Sequence, residues 1–222
     1  YGLSVFQGVK IERFDVEVLD VLKNYFPQQD LVLIRMGGQN LEHTGIIAGM
    51  SGSPVYLDGR LLGAVAYGWG FPKDPIGGVT PIESMLAELD RKTEKAVARP
   101  RPAGEPAPGT LVPCEAPLMV SGFSDRTLEW LRKELAPFGL VPMRTGGGGA
   151  PERPEAATTR LEPGSAVGVQ LVRGDSDATA IGTVTYVDGD RILAFGHPMF
   201  GGGEHGLPMT TAVIHAVFAG MG

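Results

Sequence analysis

The chain has 222 residues, 43% of them hydrophobic and 20% charged, which supplies enough apolar material for one large or two small cored domains. A formal charge of −6, with no basic run to neutralise phosphates, excludes nucleic acid as the main partner. One cysteine excludes an internal disulfide, no run of about 18 apolar residues exists to span a membrane, and 33 glycines with 18 prolines imply many turns and short strands.

The chain opens at Tyr1 without an initiator Met or a signal-like start, and stops at Gly222 just after the apolar run "TTAVIHAVFAGMG". It reads as a processed product or a piece of a longer protein, with further domains expected past residue 222. In "RFDVEVL", Phe14, Val16 and Val18 alternate with Asp15 and Glu17, the pattern of a half-buried strand. "DLVLIRM" is a short apolar run that fits a buried strand. A glycine-serine elbow follows, "GMSGSP", then a strand at Val55–Leu57, an Asp58-Gly59 turn and a strand at Leu61–Tyr67, which together read as a hairpin. Thr80 with Glu83 three residues on forms a capping-box pattern with Pro81 at the first helical position, so a helix is expected from about Thr80 to about Ala96. Residues 1–97 are thus one β-rich unit with a closing helix.

Residues 98–112 are a Pro/Ala/Gly-rich linker, "ARPRPAGEPAPGT" and its continuation, extended and poor in packing groups. Residues 113–159 read as a small strand–helix–strand insertion and a loop. "PLMVSGF" is strand-like. "SDRTLEWLRKELAPFG" puts Leu128, Leu131 and Leu135 on one helical face with Ser124 or Asp125 as cap, and "GLVPM" is a return strand. The glycine run in "RTGGGGAPERPEAATTR" lacks the Gly-Lys-Ser/Thr of a phosphate cradle and reads as a flexible loop. Residues 160–222 form a second β-rich unit, with strands in "SAVGVQLVRGD", "ATAIGTVTYV" and "RILAFGH", the last two joined across Asp188-Gly189, and a further strand in "MTTAVIHAVF". Two β-rich halves around a linker suggest two small barrels or sandwiches.

The elbow carries the chemistry. A serine hydroxyl attacks a carbonyl only when a base removes its proton and donors receive the new oxyanion. Glycines beside Ser51 let the backbone turn so that the amides of Gly49 and Ser51 point outward, and Gly52 with Pro54 fixes the exit into the next strand. "GMSGSPVYLDGRLLGAVAYG" resembles the serine segment of chymotrypsin-like proteases, Gly-x-Ser-Gly-Gly-Pro followed by strand, turn and strand. More closely, with "FDVEV" and "LEHTGIIAGMSGSP" upstream and "DGRLLGAV" downstream, residues 10–90 resemble the SpoIVB peptidase family, whose signature is Gly-Met-Ser-Gly-Ser-Pro.

That resemblance implies a mainly β protein of two chymotrypsin-like barrel halves, and a serine endopeptidase, exported and bacterial, that cleaves a protein or peptide in a signalling or envelope role after self-cleavage or without it. It makes Ser51 the nucleophile, with Ser53 in the place of the second glycine of the chymotrypsin-like pattern. The amides of Gly49 and Ser51 become the oxyanion hole. The strand Ala66-Tyr67-Gly68 becomes the segment that pairs with substrate backbone, with Tyr67 walling the cleft. It also makes His197 the general base, because "AIGTVTYVDGDRILAFGHPM" repeats the family's order of an Ile-Gly-Thr strand, a turn and a Leu-Gly-His. Here Ser51 precedes His197, so the two halves are expected in circularly permuted order, which geometry-defined catalysis tolerates.

The family's aspartate, about fifteen residues before the elbow, is missing; Met36-Gly37 stands there. Asp188, Asp190, Glu204, a residue past Gly222, or no side-chain acid at all remain as alternatives. Asp58 and Asp188 sit in Asp-Gly turns, where a turn role is sufficient. His205 reads as a solvated loop residue, His43 stands eight residues before Ser51 without evidence of contact, and His215, alternating with Val213 and Val217, reads as a core or edge residue. His197, Glu204 and His205 match no standard metal-ligand spacing, so no metal and no cofactor is expected. Two readings of function stand: a Ser-His endopeptidase, or a binding or scaffold module that keeps the protease fold without turnover.

Overall fold

The structure, a computed structural model, describes residues 1–26, 29–69, 75–89, 110–145, 160–199, 205–215 and 217. It is mainly β and built on two sheets, as the family resemblance implies.

The first sheet begins with β1 (Gly2–Gln7), β2 (Lys10–Phe26) and β3 (Gln29–Gly37), an antiparallel meander. The short helix α1 (Leu41–Thr44) leads into the serine elbow, followed by β4 (Pro54–Leu57), β5 (Arg60–Trp69) and β6 (Ile76–Pro81). Asp58 and Gly59, at φ 50° and 76°, make the tight turn between β4 and β5. Because β4 pairs with both β5 and β1, the pairings run in a ring: β1, β2, β3, β6, β5, β4 and back to β1. Inside it lies an apolar cluster of Phe14, Ile34, Met36, Leu41, Met50, Val55, Val65 and Val79. In β2 the alternation fades along the strand: Phe14 is buried, whereas Val18 and Val21 are exposed.

The expected helix start at Thr80 is corrected. Thr80 and Pro81 end strand β6, and helix α2 spans Ile82–Leu89. Thr80 is 4% exposed, and its hydroxyl donates to Gly196 O at 2.7 Å rather than capping a helix. Pairing of β6 with β5 and β3 overrides the local capping signal. The expected helical residues after Leu89 lie outside the described ones.

The second sheet is entered through β7 (Leu111–Pro113), which is paired with β5 and so still belongs to the first. Leu111 and Val112, which the composition assigns to the end of the linker, therefore form a strand. The next strand, β8 (Ala116–Ser121), helix α3 (Asp125–Leu135) and β9 (Leu140–Arg144) make a unit in which β8 and β9 run parallel. Ser124 caps α3, its hydroxyl accepting from the Thr127 amide, and Leu128 is buried beneath the helix. Then come β10 (Ala166–Val172), β11 (Asp177–Asp188), β12 (Arg191–Ala194) and β13 (Met209–Thr211). The order β13-β10-β11-β8-β9, with β12 on β11, shows that the strand–helix–strand unit is continuous with the second sheet. Of the strand expected in "MTTAVIHAVF", the described residues form a strand at Met209–Thr211, followed by a bridge from Ile214 to Gly8.

The Thr80–Gly196 hydrogen bond ties β6 to the end of the second hairpin, and burial makes it matter. Thr80→Val leaves the Gly196 carbonyl unsatisfied and is expected to destabilise the fold by about 1–3 kcal/mol. Thr80→Asp, which a helix N-cap would accept, is expected to cost more than Thr80→Val in urea unfolding; the reverse order would contradict the strand assignment.

Candidate active site

The elbow runs from Gly49 to Pro54. Its backbone is internally braced: the Met50 amide donates to Ile47 O at 3.0 Å and the Ser53 amide to Met50 O at 2.9 Å. It is anchored to β5, where the Gly52 amide donates to Val65 O at 2.7 Å and the Val65 amide to Ser53 O at 2.9 Å. Among the described residues the amides of Gly49 and Ser51 donate no backbone hydrogen bond. These two donors were expected to form the oxyanion hole, and they are uncommitted.

Strand β11 docks directly onto this elbow. The Thr183 amide donates to Ser51 O at 2.9 Å, the Thr183 hydroxyl to Gly49 O at 2.9 Å, and the Thr185 hydroxyl to Gly52 O at 2.7 Å. Both threonines are buried. The approach is so close that it requires glycine: a methyl at Gly52 (φ 96°) would sit 2.0 Å from Thr183 O and 2.4 Å from the Phe195 nitrogen. Gly182 plays a parallel part, because a methyl there would meet the Phe195 ring at 2.4 Å. The Ile-Gly-Thr stretch thus has a physical meaning: Ile181 lies near Gly49, Gly182 makes room for Phe195, and Thr183 holds the elbow.

His197 follows from the same packing. Phe195 and Gly196 both take left-handed backbone, at φ 65° and 70°, which turns the chain sharply after β12. Phe195 is a buried aromatic in a conformation that costs energy, held by its amide bond to Thr183 O at 3.2 Å and by its ring over Gly182. The turn sets Gly196 against β5, where its missing methyl would lie 3.1 Å from Val65 O and 3.1 Å from Ala66 Cβ. Val65 O is the acceptor of the Gly52 amide, so the backbones bearing Ser51 and His197 meet across one carbonyl. His197 itself is half-buried, with Nδ1 3.2 Å from Pro198 O and its ring edge-on to Phe195.

The hydroxyls of Ser51 and Ser53 are both fully buried, and neither has a hydrogen-bond partner among the described residues. No Ser51–His197 hydrogen bond is therefore made in this structure. Tyr67, expected to wall a cleft, is 4% exposed and packs with Leu31, Ala66 and Leu111. The strand Ala66-Tyr67-Gly68 is flanked by β6 on one side and β7 on the other, and the Cys114 amide donates to Ala66 O at 2.8 Å.

The remaining candidates lie elsewhere. Asp188 forms an ion pair with Arg191 at the tip of the β11–β12 hairpin, with Asp190 in the same exposed turn. At a strand rise of about 3.3 Å per residue that tip stands roughly 10 Å from the Ala194 end that leads to His197. Glu204 lies outside the described residues. His43 on α1, His205 and His215 are exposed, which removes the core alternative for His215 and leaves the edge one. Among the described residues no group of three or more His, Cys, Asp or Glu side chains is placed to hold a metal ion. Thr183 and Thr185 are the site residues that motif reading missed.

Residues 2–86 match the family SpoIVB peptidase S55. The serine-bearing part of the chain is thus similar to the SpoIVB peptidase family. The matched span covers β1 to α2 and contains the whole serine elbow; His197 lies beyond it. No curated protein and no solved structure matches the chain. The likeness is to a family of peptidases, and the matched span includes the buried Ser51.

The β11 contact should be the most sensitive part of the elbow. Gly52→Ala is expected to abolish the native fold, since backbone atoms on both sides of the added methyl cannot retreat. Thr185→Val should fold and lose about 1–3 kcal/mol, through the stranded Gly52 carbonyl. Thermal unfolding followed by circular dichroism checks both, and a Gly52→Ala protein as stable as the parent would contradict the docking.

Proposed function

We propose that the chain is a serine endopeptidase in which Ser51 attacks the scissile carbonyl and His197 acts as general base. The observation that carries this reading is the single carbonyl, Val65 O, that both the Ser51 and the His197 backbones approach. Two uncommitted amides beside Ser51 add to it.

The steps follow from the residues. His197 accepts the proton of the Ser51 hydroxyl as the oxygen bonds to the substrate carbonyl carbon. The Gly49 and Ser51 amides donate to the oxygen that becomes negative, and removing one such donor typically costs 10²–10³ in rate. His197 then hands the proton to the leaving amine, and an acyl-enzyme on Ser51 remains for water to hydrolyse. No hydrogen bond joins the pair in the resting structure; catalytic hydrogen bonds of this kind tighten when substrate binds.

Nδ1 of His197 lies 3.2 Å from the Pro198 carbonyl, and a backbone acceptor there would fix the ring with Nδ1 protonated, so that Nε2 is the nitrogen that takes the proton from serine. The substrate would be a protein segment in extended form, paired to β5. The family likeness suggests an exported enzyme; among the described residues no helix is long and apolar enough to cross a membrane.

A second reading is favoured by one specific observation: Ser51 is entirely buried, as a serine in a non-catalytic scaffold would be. A fluorophosphonate reagent separates the two. The peptidase reading expects stoichiometric labelling of Ser51, lost in Ser51→Ala and slowed at least about 100-fold in His197→Ala. Absence of labelling under every condition, in a folded protein, would leave the scaffold.

A further inference from the structure

We propose that the chain's own Leu111–Cys114 occupies the edge of β5 where a substrate would pair, and so holds the site closed until an extended peptide displaces it. The inference rests on the peptidase reading above, in which substrate pairs with β5; the occupancy of that edge by Leu111–Cys114 is carried by the β5–β7 pairing itself.

The pairing has the form a peptide substrate would take. β7 runs antiparallel to β5 with Leu111 opposite Trp69, Val112 opposite Gly68 and Pro113 opposite Tyr67, and Cys114 closes the run with its amide on Ala66 O at 2.8 Å. Ala66 is the residue after Val65, whose carbonyl holds the elbow. The strand thus heads toward Ser51, and Cys114 is its last paired residue. Beyond it the chain crosses the elbow: three residues on, Pro117 Cγ lies 3.7 Å from the position of a methyl on Gly49. The segment that follows Cys114 thus reaches the elbow at Gly49, two residues before the buried Ser51.

One side chain anchors the segment. Leu111 is 3% exposed and packs with Leu31, Ala66 and Tyr67, while its amide donates to the Tyr25 hydroxyl at 3.0 Å. Val112, Pro113 and Cys114 are only half-buried. The pocket beside Tyr25 and Leu31 accordingly selects an aliphatic residue three positions before the one at Cys114. A three-residue strand at the sheet's edge can leave without opening the ring of six strands it leans on. The enzyme is then closed by its own strand, and a substrate must carry a better-fitting sequence to displace it.

Two measurements test this. The first is binding, by fluorescence anisotropy, of a labelled peptide carrying Leu-Val-Pro-Ala. Leu111→Asp, which releases the strand, is expected to bind it at least about tenfold more tightly than the parent protein, because a buried leucine contact no longer competes. Cys114→Pro, which removes the amide that the resident strand gives to Ala66 O and leaves the β5 side of the site untouched, should bind about threefold more tightly. Equal affinity in the parent and every folded variant, or binding to none, overturns the site. The second is the rate of Ser51 labelling by the fluorophosphonate, expected to rise in the same order. Labelling at one unchanged rate in all three overturns the closure and leaves the peptidase standing; peptide binding without any labelling keeps the site and removes the peptidase.

Discussion

The docking of β11 onto the serine elbow is the contact on which the rest depends. The elbow is a loop, and a loop holds a nucleophile in place only if its carbonyls are tied. Five of them are: the Met50 and Ser53 carbonyls accept from the Ser53 and Val65 amides, and those of Gly49, Ser51 and Gly52 accept from Thr183 and Thr185. The Thr185 bond to Gly52 O is buried, so breaking it strands a carbonyl away from water. With the carbonyls turned inward toward β11, the Gly49 and Ser51 amides are left without backbone partners, the condition an oxyanion site needs.

The same contact couples the two halves of the chain. Thr183 O receives the Phe195 amide, and Phe195 in left-handed backbone swings Gly196 onto Val65 and Ala66. Strain at Phe195 is sustained by burial of its ring against Gly182 and would relax if β11 left the elbow. The Ser51 backbone and the His197 backbone are thus positioned by one strand, and loss of that strand disperses both. β7 adds a third element at the same place, lying along β5 where the histidine turn and the elbow converge.

Much of this was legible in the residues. Period-two alternation located β2, Asp-Gly pairs located two hairpins, and Ser124 marked the start of α3, because each signal acts over a few residues. The elbow and the Phe-Gly-His turn were legible as motifs. Thr80 misled, since a Thr-Pro-Ile-Glu sequence fits a helix start locally while β5 and β3 claim it as strand. β7 was hidden in a Pro-rich stretch whose composition argues against packing, and only the pocket around Tyr67 gives Leu111 a reason to order. The roles of Thr183 and Thr185 depend on partners more than 130 residues away, at sequence separations of 134 and 133, and no local pattern reports such a contact.

The central claim is that Ser51 and His197 belong to one site. A crystal structure of the protein with Ser51 carrying a peptidyl phosphonate tests it most directly. The account predicts a His197 ring nitrogen within about 2.6–3.2 Å of the Ser51 oxygen or the leaving-group oxygen, with a phosphoryl oxygen facing the Gly49 and Ser51 amides. An adduct in which the His197 ring stays out of reach of both oxygens while the phosphoryl oxygen points away from those amides would contradict it.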